Sequence, residues 1–83
     1  MARLRIEHES GKTEVCFLSA WVRREMDMQE ELEGAAAADR MLWCAWYLWT
    51  ERGWTSCETW QDFAREIDLE LVKDEGQPDP LDQ

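Results

Sequence analysis

The stretch AAAADRMLWCAWYLWTERG, residues 35–53, decides the fold, because it gathers Trp43, Trp46 and Trp49 into one segment of strongly helical character. Its alanine run is a strong helix former. Asp39 lies early and Arg52 late, in the sense that the helix dipole favours, and Gly53 is the residue type that commonly ends a helix. At about 100° per residue, Met41, Leu42, Ala45, Trp46, Leu48 and Trp49 fall on one broad face and Asp39, Arg40, Thr50 and Glu51 on the other. Trp43 and Tyr47 break that partition, sitting one turn apart among the polar residues. They are therefore expected to be more accessible than Trp46 and Trp49, and to need cover from a second element or a partner. The apolar run Met41–Trp49 is far shorter than the ~20 residues of a membrane span.

Working outward on the N-terminal side, Arg3–Glu9 and Thr13–Phe17 alternate in polarity around the turn-forming Ser10-Gly11-Lys12, which reads as an antiparallel hairpin. A two-stranded hairpin is not stable alone, so its apolar face is expected to lie on helix. Ser19 is placed to cap a helix running through Glu33, in which Trp21, Met28 and Leu32 share a face that Val22 and Met26 widen, and Gly34 closes it. On the C-terminal side, Thr55-Ser56-Cys57-Glu58 fits a capping box, followed by an apolar stripe of Trp60, Phe63, Ala64, Ile67 and Leu71. Leu69, Leu71 and Val72 suit the end of that helix or a short strand equally well. The expected fold class is α+β: an N-terminal β-hairpin packed on about three α-helices, mostly helical, as one domain over residues 1–74. Residues 75–83 hold two prolines and almost no apolar side chains, and read as a disordered acidic tail dispensable for folding.

Eighty-three residues make one small domain, which hides only about 60% of its unfolded surface and is marginally stable alone. The 19 acidic and 9 basic residues give a net charge of −10, which argues against attraction to nucleic acid or anionic membrane. The first 24 residues hold five basic and three acidic groups, net +2, leaving four basic and sixteen acidic, net −12, for the remainder. The acidic part suits a basic or apolar partner. Cys16, Cys44 and Cys57 are odd in number and lack C-x-x-C spacing, so neither a disulfide framework nor a metal site is expected, and a reducing cytoplasm is the default setting. The N-terminus has no apolar signal core, so secretion is not expected.

Catalytic chemistry finds little support. The single histidine, His8, reads as a structural or surface residue; Gly11-Lys12-Thr13 lacks the earlier glycine of a phosphate loop; Asp62 and Glu66, one helical turn apart, read as a solvated face. No catalytic residue, cofactor or metal ligand is assigned. Aromatic surface remains, since Trp and Tyr dominate interface hot spots. Trp46, Trp49 and Trp60 fit a core, whereas Trp43, Tyr47, Trp54 and Trp21 are the candidate partner-binding residues.

A basic hairpin comes first, then Ala20-Trp21 opening a helix, then an alanine-led tryptophan-rich helix ending Glu51-Arg52-Gly53-Trp54. Ser56, Trp60 and Phe63 follow, and an acidic segment ends in Pro78 to Leu81. This order resembles the small tail assembly chaperones of long-tailed bacteriophages, particularly those of actinobacterial hosts, over most of the chain. The tryptophan density of the central helix is a departure from that pattern. The resemblance implies a non-enzymatic viral protein that binds the aggregation-prone tape measure protein, helps recruit tail tube protein during virion assembly in the cytoplasm of the infected host, and is often also made in a longer frameshifted form. A homo-oligomer is compatible with it. The competing expectation is a small acidic phage-type inhibitor, a decoy whose carboxylates block a host nucleic-acid-binding protein. The first reading rests on the aromatics and the second on the charge.

Overall fold

The structure, a computed structural model, describes residues 2–73; the acidic tail lies outside the described residues. Its elements run β1 (Ala2–His8), β2 (Thr13–Phe17), α1 (Ala20–Asp27), a single 3-10 turn (Glu30–Leu32), α2 (Ala37–Glu51), α3 (Trp60–Ala64) and β3 (Ile67–Lys73). The architecture is α+β, with a three-stranded antiparallel sheet of order β2-β1-β3.

The hairpin forms as its alternation demands. His8 N–H donates to Lys12 C=O at 2.8 Å, and Gly11 takes φ +97°, a left-handed conformation that glycine adopts without a Cβ penalty. Leu4 and Ile6 are fully buried. On β2 the inward side chain is Cys16, while Val15 and Phe17 stand exposed beside Arg5 and Arg3 on the uncovered face of the sheet.

The hairpin gains a third strand. Ile67–Lys73 pairs with β1 from His8↔Ile67 to Ala2↔Lys73, so of the two forms that suited Leu69–Val72 the strand is the one adopted, and Ile67, expected in the last helix, begins it. Ile67, Leu69 and Leu71 satisfy a period of 2, and only Ile67 and Leu71 a turn of helix. The free donors and acceptors on the outer side of β1 are paired by the strand and left open by a helix.

α3 is correspondingly short. Its cap is Thr59, whose hydroxyl accepts from Asp62 N–H at 3.2 Å, and not Thr55, whose hydroxyl accepts from Cys57 N–H at 3.1 Å in the preceding loop. α1 also ends sooner than Glu33. Ser19 caps it as expected, by accepting from Val22 N–H at 3.3 Å, but it stops at Asp27. Its Val22 enters the core, as does Leu32 of the 3-10 turn, while Trp21 and Met28 face solvent.

α2 is the central element. The core that surrounds it comprises Leu4, Ile6, Cys16, Leu18, Val22, Leu32, Trp43, Cys44, Ala45, Trp49 and Phe63. Trp43 is only 3% exposed, more buried than the half-buried Trp46. The expected order of accessibility is thus reversed for this pair. The sheet, α1 and the 54–64 segment pack around α2 from different sides, so a two-faced partition of that helix cannot hold. Trp46 instead meets the 54–64 segment, where its indole N–H donates to Cys57 C=O at 3.0 Å. No helix among the described residues is long and apolar enough to cross a membrane.

Candidate interaction surface

The four candidate aromatics separate into two places. Trp21, Tyr47 and Trp43 form one continuous assembly between α1 and α2. The Trp43 and Tyr47 rings stack at a centroid distance of 5.2 Å and an interplanar angle of 22°, and the Trp21 indole N–H donates to Tyr47 Oη at 3.1 Å. Trp43 is the buried foot of this ladder, Tyr47 its half-buried middle, and Trp21 its outer end, 58% exposed. Trp43 therefore supports the surface from within rather than meeting a partner.

Local structure explains why Trp21 is fixed although exposed. Ser19 caps α1 and leaves Trp21 in its first turn, where Arg24, one turn on, lies 5.3 Å from the ring centroid. Tyr47 then holds the indole N–H. An aromatic ring pinned at both its face and its polar edge has already lost the rotamer freedom that binding would otherwise remove. Met28, two turns from Trp21 on the same side of α1, is 60% exposed and supplies a flexible, polarisable neighbour.

Trp54 belongs elsewhere. Gly53 at φ +72° closes α2 in a Schellman motif: Gly53 N–H donates to Thr50 C=O at 3.1 Å and Trp54 N–H to Trp49 C=O at 2.9 Å. That geometry sets Trp54 edge-on to Trp49 at 5.6 Å, the apolar contact that accompanies this cap. Lys12 Nζ lies 3.7 Å from the Trp54 ring centroid and the Arg52 guanidinium 5.0 Å, so cations already occupy its surroundings.

Beside this cluster lies a polar group that sequence spacing did not bring together. His8 Nε2 is 3.3 Å from Glu66 Oε1, and the Cys57 thiol donates to Glu66 Oε2 at 2.7 Å. His8 Nδ1 accepts from Ser10 N–H at 3.1 Å and lies 2.8 Å from Ser10 Oγ; the ring stacks on Trp49 at 5.6 Å. The bond from Cys57 lowers the pKa of Glu66 and in turn raises that of Cys57, which keeps the sulfur a thiol, the reverse of an activated nucleophile. Burial likewise raises Cys16, and Cys44 to about 11. The group ties the hairpin turn to the α3–β3 junction, where Glu9 N–H also donates to Glu66 C=O at 2.8 Å. His8 and Glu66 are 58 residues apart, and only the His8↔Ile67 pairing, absent from any local pattern, makes them neighbours. Comparison of the chain with protein-family models, with curated proteins and with solved structures gives no match.

Proposed function

We propose that this protein is a binding module that covers an apolar helical segment of a client protein, in the manner of a phage tail assembly chaperone acting on tape measure protein in the host cytoplasm. The observation that carries the reading is the exposed, pre-ordered Trp21 at the head of the Tyr47–Trp43 ladder, with exposed Met28 on the same side of α1. An indole of this exposure offers on the order of 150 Å² of new burial, about 3–4 kcal/mol at about 25 cal/mol per Å² before association costs are subtracted. A helix with apolar residues at i, i+3 and i+7 presents the complementary ridge. The net charge of −10 supports the same role, since it keeps a complex with an apolar client dispersed. The resemblance of the sequence's order of motifs to that of tail assembly chaperones supports tape measure protein as the client class.

The test is co-expression with a phage tape measure protein, followed by recovery of the soluble complex at low and high salt, for the wild type and Trp21→Ala. The complex is expected to survive high salt and to weaken at least tenfold in the variant. A complex lost in high salt but indifferent to Trp21→Ala would instead favour the acidic decoy, whose attraction is spread over ion pairs screened beyond about 8 Å.

A further inference from the structure

We infer that the outer edge of β3, which pairs with no other strand among the described residues, together with the apolar groove beneath it, is a docking site for an extended segment of another protein in which apolar and basic side chains alternate. The two ladders settle which backbone groups point outward. Glu9 N–H bonds to Glu66 C=O, so the hydrogen-bonded pairs of the β1–β3 ladder are those in phase with Glu9/Glu66, namely Glu7/Asp68, Arg5/Glu70 and Arg3/Val72. The His8–Lys12 bond gives the complementary phase on the β2 side of β1. Ile67, Leu69 and Leu71 therefore direct their N–H and C=O groups away from the sheet, along an edge seven residues long. The Leu69 N–H is met there by its neighbour's carboxylate, Asp68 Oδ1, at 2.9 Å.

The same three residues line a groove of about 430 Å³ with Leu4, Met41 and Leu42, a volume within the range of ligand-holding clefts (~300–1,000 Å³). Leu71 is 48% exposed at its rim. An added strand would send every second side chain into this groove and the others to the open face of the sheet. On that face β3 presents Asp68 and Glu70. Asp68 stands opposite Glu7, a like-charged pair, and the Arg5 guanidinium is shared between Glu7 at 3.0 Å and Glu70 at 3.6 Å. Arg3 lies on the same face opposite Val72, and Arg65 stands beside Glu7 and Asp68, so the arginines of this face sit on β1 and at the end of the row, while β3 itself presents Asp68, Glu70 and Val72 to an incoming strand. Basic residues on the incoming strand would face Asp68 and Glu70 directly.

Charge also selects among occupants. A second copy pairing edge to edge would bring Asp68 and Glu70 against their own kind, in molecules that each carry −10. Residues 74–83 have Leu81 as their one large apolar side chain and prolines at 78 and 80, so this stretch offers no alternating apolar row. At the other edge, β2, the inward Cys16 instead receives the Arg52 guanidinium at 3.4 Å. This surface is separate from Trp21, and its occupant is a strand rather than a helix.

The test uses a fluorescent peptide alternating lysine with valine and leucine, a counterpart with glutamate for lysine, and a third N-methylated at alternate residues along one edge. Binding to the full chain is read by anisotropy, and backbone amide exchange by NMR. The lysine peptide is expected to bind, and to slow exchange at Ile67 and Leu71 at least tenfold. The glutamate and N-methyl peptides should bind at least tenfold more weakly, as should the lysine peptide to Glu70→Lys; Trp21→Ala should bind it unchanged. Equal binding of the lysine and glutamate peptides, tolerance of N-methylation, or protection at Thr13, Val15 and Phe17 instead would overturn the assignment. So would a dimer whose β3 amides are protected without peptide.

Discussion

The aromatic side chains along α2 run from an enclosed end to an open one. At the enclosed end, Trp49 is surrounded by rings and cations from many parts of the chain: His8 from β1, Lys12 from the hairpin turn, Trp54 from the Schellman cap and Phe63 from α3. At the open end, Trp43, midway along α2, sits in a ladder that runs out through Tyr47 to an exposed Trp21. Several elements converge on the first cluster. The second is a seam between α1 and α2, and among the described residues no third element covers its outermost ring. The lesson is that aromatic content marks neither core nor interface by itself; what decides is how many chain segments reach the ring.

The largest expected effect tests the enclosed end. Trp49→Ala should cost about 3–5 kcal/mol or more, enough to unfold a domain of this size, and Phe63→Ala a similar amount, read as a lowered urea midpoint. Trp43→Ala should fall in the same range despite its position among polar residues, because Trp43 is nearly as buried as Trp49. A cost below about 1 kcal/mol at Trp43 would return it to the surface and collapse the ladder. One step down lies the cap that joins the clusters' chemistry to the backbone. Gly53→Ala leaves its Cβ with nothing within 4 Å but forces a side chain into φ +72°, for a loss of about 1–2 kcal/mol. A neutral result would show that Trp54 does not depend on the Schellman geometry.

This contrast also separates what local sequence encodes from what it cannot. The hairpin was legible because alternation and a glycine turn are local signals, and α2 because its length, alanine run and Gly53 agree. β3 was not, since Ile67 and Leu71 also continue the helical stripe from Trp60, and the edge of β1 that pairs with β3 lies outside any local pattern. Thr59 capping α3 did carry a signal, the Thr59-x-x-Asp62 spacing, but Thr55 four residues earlier offered a competing one. The burial of Trp43 could not be read from a helical wheel, because a wheel assumes one buried face and α2 is packed from several sides. Of the four candidate aromatics, the exposure of Trp21 and the separate location of Trp54 both depend on tertiary contacts.

At the open end the expected stability effects are small. Trp21→Ala should change stability by no more than about 0.5 kcal/mol, and Tyr47→Phe, which removes only the acceptor for a surface indole, should do the same. Both variants sharpen the comparison by separating binding from folding. Intrinsic fluorescence should show a blue shift when client covers the wild-type Trp21, and the corresponding change should vanish in Trp21→Ala. If Trp21→Ala unfolds the protein, the ring is a structural member of the core and the distinction between the two ends disappears.

The smallest effect concerns pH, and its acid limb belongs to the enclosed end. Glu66 has its pKa lowered from the ordinary 4.5 first by the Cys57 thiol and then by His8, so the folded state favours the carboxylate. A group depressed in this way adds stability above its unfolded pKa and loses it as pH falls through the folded value, which places the loss in acid, below about 4.5. Cys57 shifts the other way, raised above 9.0 chiefly by its bond to Glu66, so its contribution is present below that value and is lost as pH rises through the higher folded pKa. The same contact thus weakens at both extremes and is intact between them. Buried Cys16 and Cys44, also raised, add to the alkaline loss, so the informative quantity is the difference between proteins rather than the curve of one. Thermal midpoints measured across pH for wild type, Cys57→Ala and Glu66→Gln should converge in acid and separate near neutrality, with both variants lower there. Both groups are partly exposed, so solvent screening keeps the separation to a few degrees or less. Curves that stay parallel from acid to neutral pH would mean that the His8–Glu66–Cys57 contacts form without stabilising the fold, leaving the enclosure of Trp49 to the aromatic packing alone.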